Sequence, residues 1–190
     1  MKRPVIRSIG RLAVLIVVIV PVVAWFIVKP VRVIAPQWVH VTCNASRTLC
    51  VDDALKLAEA LALRDEAIAF VSAKVGTIEG QPRVVFCASQ ACADSFGLGA
   101  RSAVTLGQFG TVIGPRAWKP YYVRHELIHY LQSERVGVLP LLFKPQWWVE
   151  GMAYALSEDP REKLVEPWEG DRAVFRKWLA QVGLAKIWLR

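Results

Sequence analysis

His125, Glu126 and His129 stand in the run His125-Glu126-Leu127-Ile128-His129, two imidazoles four positions apart with a carboxylate beside the first. On a helix, residues four apart share a face, so both rings can converge on one metal ion while Glu126, one step round, reaches a water on that ion. The chemistry open to such a group is hydrolysis by a metal-activated water, with the carboxylate as general base. The chain has only three histidines. Random placement would give this spacing in about two of a thousand chains of this composition, so the pattern warrants a search for its missing parts. The remaining imidazole, His40, lies far upstream and is a poor ligand candidate.

Two histidines leave a catalytic zinc site one ligand short, because such sites use three protein ligands and keep a fourth position for water. A third histidine six residues after the second, the metzincin arrangement, is excluded. That position is Arg135, and Gln132 stands where the arrangement requires glycine. A carboxylate is the remaining class. Glu150, in Trp147-Trp148-Val149-Glu150-Gly151-Met152-Ala153, follows His129 by twenty-one residues, enough for a loop and a returning helix. Glu134 falls off the ligand face of the motif helix, and Glu158 and Asp159 lie beyond the returning helix. A carboxylate flanked by Trp148, Val149 and Met152 is costly to desolvate without a strong partner such as a metal.

Over Tyr121 to Ser157, HELIH followed by WWVEGMAYAL resembles the gluzincins, the zinc metallopeptidases that include thermolysin and aminopeptidases with the same ligand set. The resemblance implies one Zn²⁺ per chain on His125, His129 and Glu150, with Glu126 as general base. It also implies that Gly151 and Ala153 are the small residues that let their helix pack near the metal. The strand before the motif helix, Ser102 to Leu106 or Thr111 to Gly114, would be a sheet edge on which a peptide substrate lies extended. A donor for the developing oxyanion is still needed, and with no spare histidine the candidates are tyrosines. Tyr122 and Tyr121 share the face of His125, and Tyr154 is one turn past Glu150. The chain departs from the thermolysin-like pattern at Tyr154, where those enzymes carry an aspartate that orients a histidine.

The elements that must position these residues are legible in part. Asp52 or Asp53 as N-cap and Gly76 as C-cap bracket a long amphipathic helix. Arg83 to Phe86, Ser102 to Leu106 and Thr111 to Gly114 read as short strands separated by glycines. The motif helix is expected from Pro120 to about Arg135, closed by Gly137, and the ligand helix from Gln146 to Ser157. A last amphipathic helix is expected over about Asp171 to Leu189. Arg124, Glu126, Glu134 and Arg135 on the motif helix exclude an intramembrane site.

The formal charge of +8 is concentrated upstream: Lys2, Arg3, Arg7, Arg11, Lys29 and Arg32 carry most of it, and no acid precedes Asp52. With no basic run interleaved with aromatics, a nucleic-acid partner is not expected. The apolar run Leu12 to Val28 has no charge and is at the short end of what spans a bilayer. Its basic flank predicts an uncleaved anchor with the N-terminus in the cytoplasm and everything after Lys29 across the membrane. Cys43, Cys50, Cys87 and Cys92 all follow that run, which suits disulfides in an oxidising compartment, paired locally or between the two pairs.

The expected architecture is therefore α+β: a basic N-terminus over residues 1–11, a transmembrane helix over 12–28, a linker over 29–36 and a small zincin-like domain over 37–190. The expected activity is a single-pass, extracytoplasmic zinc peptidase acting on a peptide or protein substrate. A non-catalytic zincin-like scaffold and a zinc-binding accessory protein of the cell envelope are the competing readings.

Overall fold

Successive residues along three short parallel strands point alternately into two apolar layers, and that alternation organises the molecule. Leu49, Val51, Val84, Phe86 and Ile113 enter one layer, and Cys50, Val85 and Val112 the other. The computed structural model describes residues 15–188. The strands are β1 (Thr42–Cys43), β2 (Leu49–Val51), β3 (Val84–Phe86), β4 (Ala103–Leu106) and β5 (Gly110–Ile113), in the order β1-β2-β3-β5-β4. β2, β3 and β5 run parallel, while β1 and β4 pair antiparallel at the two edges. Among the described residues the α-helices are α1 (Val20–Ile27), α2 (Leu57–Lys74), α3 (Gln90–Ser95), α4 (Pro120–Val136), α5 (Val138–Leu141), α6 (Gln146–Leu156) and α7 (Trp168–Val182).

In the larger layer α2 and α4 pack against one face of the sheet, α6 packs against α4, and α7 against α6. Val71, Leu127, Ile128, Leu131, Met152 and Phe175 are fully buried there. The smaller layer holds Val33, Phe96 and Leu98 against the opposite face. α2, α4 and α6 lie close to where periodicity and capping residues put them. Pro120 opens α4, and Gly137, at φ +91°, closes it. The last helix is displaced from its expected bounds: it begins at Trp168 and ends at Gly183, whose φ of +75° breaks the helix. A 3₁₀ turn then buries Ile187 and brings Trp188 Nε1 to 3.3 Å from the carbonyl of Val75.

The N-terminal anchor and the topology built on it are corrected by the structure. Among the described residues no helix is long and apolar enough to cross a membrane. Leu15–Ile19 forms a π-helical turn, α1 adds only eight residues, and Val28 leaves the helix. Eight α-helical residues rise about 12 Å against a hydrocarbon core of about 30 Å. With no spanning helix among the described residues the positive-inside argument has nothing to orient, so neither the single-pass anchor nor the extracytoplasmic placement is supported. Residues 1–11, with four of the basic side chains, and residues 12–14 of the apolar run lie outside the described residues.

The stretch expected to be a linker is a 3₁₀ helix, Lys29–Ile34, with Val33 buried on the sheet. Its cations bond to the protein. Arg32 Nη1 donates to the Ser95 carbonyl at 2.6 Å, and Lys29 Nζ to that of Asp94 at 3.3 Å, at the end of α3. Both disulfides join near neighbours, Cys43 to Cys50 across the β1–β2 pair and Cys87 to Cys92 at the start of α3. They suit an oxidising environment.

α6 and α7 meet closely at Gly151, where an added Cβ would stand 2.3 Å from the backbone oxygen of Asp171. Backbone cannot yield as a side-chain tip can, so Gly151→Ala is expected to cost roughly 2 kcal/mol through overpacking, more than the alanine gains in helix propensity. Urea unfolding of the variant beside the parent protein measures this.

Candidate metal centre

α4 turns Val123, Leu127, Ile128 and Leu131 into the core and leaves His125, Glu126 and His129 along the side that faces α6 and β4. Its N-terminal half is fixed from outside by Arg124. That guanidinium donates to Glu66 of α2 at 2.5 Å and to Glu158 beyond α6 at 3.1 Å, and lies 3.9 Å over the Phe70 ring. α6 follows α5 and carries Glu150 to the histidines.

The three groups meet. His125 Nε2 and His129 Nε2 are 3.1 Å apart, and each lies 3.6 Å from an oxygen of Glu150. All their ligand atoms fall within 4.8 Å of one another, and the group can hold a metal ion. His40 is exposed and outside this group. Glu134 faces away and accepts from the backbone of Glu79 and Gly80. Glu158 pairs with Arg124 and Asp159 with Arg161.

The tautomer of His129 follows from its neighbours. Gln132 Nε2 donates to the Val149 carbonyl at 2.9 Å, so Gln132 Oε1 is the acceptor at 2.8 Å from His129 Nδ1. In its neutral form His129 therefore carries its proton on Nδ1 and turns the Nε2 lone pair toward His125 and Glu150. Gln132 is itself fully buried and also ties α4 to α6. Sequence reasoning used it only to exclude a glycine motif. The signal was its place three residues after His129, on the same helix face.

Charge in the site is shared. Burial opposes a proton on His129, but the Glu150 carboxylate, with Glu126 and Gln132, overcomes it and raises the pKa to about 9. Burial likewise opposes the charge on Glu150, and its bonds to His125 and His129 hold its pKa well below the usual carboxylate range. Tyr154 packs edge-on against His125 with ring centroids 4.3 Å apart. Burial, then the Glu150 charge, pushes its phenol up to about 12, so it stays a proton donor at neutral pH.

These residues open into a cleft of about 620 Å³, lined also by Tyr122, Ser102 to Thr105 of the β4 side, Leu142 and Arg161. Glu126 is 6% exposed, and its Oε2 lies 2.7 Å from Thr105 Oγ1. Arg161, bonded to Asp159 through Nε and Nη2, has Cζ 5.4 to 5.8 Å from the rings of Tyr121, Tyr122 and Tyr154. Neither Thr105 nor Arg161 carried a sequence signal, since each reaches the cleft only through tertiary folding. Gly151, which the resemblance makes a small residue that lets its helix pack near the metal, has its close contact with α7.

Comparison with known protein families, with characterised proteins and with solved structures returns no match.

Two outcomes are expected. Gln132→Leu removes the acceptor that fixes the His129 tautomer and should weaken metal affinity roughly 10- to 100-fold, read by competition with a chromophoric chelator. A metal must also displace the proton of His129. With the pKa at about 9, zinc affinity should rise about tenfold per pH unit from pH 7 to 9 and level off above. Metal titrations across that range measure the slope. The proton-mediated pairing of His129 with Glu150 has the opposite dependence, present in full below about 6.5 and lost as pH rises through about 9.

Proposed function

We propose that this protein is a zinc-dependent hydrolase of peptide bonds, of the gluzincin kind, with His125, His129 and Glu150 as ligands and Glu126 as general base. The observation that carries the reading is the ligand spacing. A tetrahedral zinc with bonds of about 2.0–2.1 Å requires donor atoms about 3.3–3.4 Å apart. The imidazole Nε2 atoms are 3.1 Å apart, and each lies 3.6 Å from a different oxygen of Glu150, His125 from Oε2 and His129 from Oε1, so a small turn of the carboxylate brings one oxygen into place. Two neutral imidazoles and one carboxylate are also a donor set of the right chemistry, and they leave one charge of Zn²⁺ uncompensated.

Bound zinc would lower the pKa of a water and polarise a carbonyl. The protein's own groups carry the proton traffic. Glu126 takes a proton from the attacking water and returns it to the leaving amine. Tyr154, protonated over the working range, and Tyr122 on the same cleft wall are the donors available to a carbonyl oxygen as charge builds on it.

A peptide is the substrate class best supported. β4 is the last strand of the sheet, bonded to β5 on one side only, and its residues line the cleft. An extended chain laid along that free edge gains main-chain hydrogen bonds and delivers its carbonyls to the cleft in sequence.

The test is zinc stoichiometry by elemental analysis on the full chain, beside Glu150→Ala and Glu126→Gln, together with hydrolysis of a mixed peptide library read by mass spectrometry. The expected result is about one zinc per chain in the parent and in Glu126→Gln, and weakened or lost zinc in Glu150→Ala. Cleavage should fall about 10²- to 10⁴-fold in Glu126→Gln. Failure of the parent to take up zinc would overturn the metal assignment, and full cleavage by Glu126→Gln the catalytic one.

A further inference from the structure

Glu126 has two carboxylate oxygens, and its assigned work needs only one of them. The other is occupied. Thr105 Oγ1, on the edge strand β4, lies 2.7 Å from Glu126 Oε2, and Thr111 Oγ1, on β5, lies 2.9 Å from Thr105 Oγ1. Thr105 and Thr111 are register partners across the β4–β5 pair, so their hydroxyls sit side by side on the sheet face beneath α4. Thr111 is fully buried, Glu126 is 6% exposed, and Thr105 is half-buried on the cleft wall.

Proton count sets the direction of these bonds. An ionised carboxylate only accepts, so Thr105 donates to Glu126 Oε2. The Thr105 oxygen is then free to accept from Thr111. Two hydroxyls in series thus point one donor at a single oxygen of Glu126, and each bond polarises the next. The Glu126 backbone carbonyl is also within 3.0 Å of Thr105 Oγ1, which brings β4 and the first turns of α4 together at the residue concerned.

We propose that Thr105, backed by Thr111, is a positioning residue for the general base: it anchors Oε2 of Glu126 so that Oε1 is held toward the attacking water. A glutamate carboxylate rotates readily about its last torsion, and a base within reach but misaligned loses much of its effect. A charge-assisted bond to one oxygen removes that freedom without consuming the oxygen that takes the proton. Thr105 does not touch substrate or metal in this role. The inference rests on the zinc hydrolase reading and assigns to the sheet a part in the reaction beyond carrying the substrate.

A threonine pair across two strands also stabilises a sheet, and the test separates the two roles. Thr105→Val keeps the shape and the β-branch but removes the donor. Thr105→Ser keeps the donor and removes the methyl. Each full-length variant, with the parent and Glu126→Gln, is loaded with zinc, its metal content is measured, and its affinity for acetohydroxamate is titrated by calorimetry. A hydroxamate chelates zinc and shares a proton with the base, so its binding reports Glu126 placement without turnover. Steady-state kinetics on a peptide cleaved by the parent complete the set.

The expected result is unchanged zinc content in all four proteins. Hydroxamate binding should be about tenfold weaker in Thr105→Val, in the direction of Glu126→Gln, and restored to within about twofold in Thr105→Ser. In kinetics kcat should fall about ten- to hundredfold for Thr105→Val with KM little changed. Parent-like hydroxamate binding and kcat in Thr105→Val overturn the proposal. So does a serine variant as impaired as the valine one, which assigns the effect to the methyl and the sheet. Absence of zinc from the parent is a distinct outcome, which removes the hydrolase reading and this inference with it.

Discussion

Two imidazole nitrogens 3.1 Å apart, each 3.6 Å from a carboxylate oxygen, sit largely buried at the wall of a cleft, and their lone pairs repel unless a positive charge lies among them. Everything around them answers that constraint. A proton on His129 meets it in part, and Glu150 stabilises that proton. A divalent cation meets it fully, because it engages all three donors at once. The same burial that makes the cluster costly without a cation makes it selective for one, since low local polarity strengthens every charge interaction within it.

The fold delivers this cluster by holding two helices at a fixed separation. α4 is pinned on its core face by aliphatic residues, at its N-terminal half by Arg124, and to the backbone of α6 through Gln132. α6 is pinned from behind by α7, which approaches so closely at Gly151 that only a hydrogen fits. His125, His129 and Glu150 therefore stand on two packed helices. Gln132 Oε1 stands 2.8 Å from His129 Nδ1 and orients that ring, while Tyr154 packs against His125.

What the sequence made legible was whatever local periodicity and chemistry encode. His125 and His129 were identifiable from residue type and helical spacing, Glu150 by exclusion of other candidates and by resemblance, and the structure brings the three together. The bounds of α2, α4 and α6 followed from their caps and apolar stripes. Strands β1 and β2 escaped notice because two and three residues leave too short a pattern to show a period. The apolar run after Leu12 has a composition suited to a membrane, yet hydropathy does not specify helix continuity. The run is divided between a π-helical turn and a short α-helix that ends at Val28, and Val33 beyond it packs on the sheet. Thr105 and Arg161 were invisible for another reason, since nothing in a linear pattern says which distant strand or loop will arrive beside a helix.

The β4–β5 hairpin also couples strand register to chemistry. Ala103 packs toward the helical layer, while Val104 and Leu106 pack toward the smaller one. The connection from Gly107 to Phe109 has Gly107 at φ +52°, followed by Gly110 at φ +152°, values that few other residues adopt without strain. A slip of one residue at this edge would exchange the two faces, setting valine or leucine where a hydroxyl now meets Glu126 and sending Thr105 into an apolar layer. Two glycines at the hairpin, Gly107 on the wall of the cleft and Gly110 at the start of β5, thus help set which face of the edge strand carries the hydroxyl that meets Glu126.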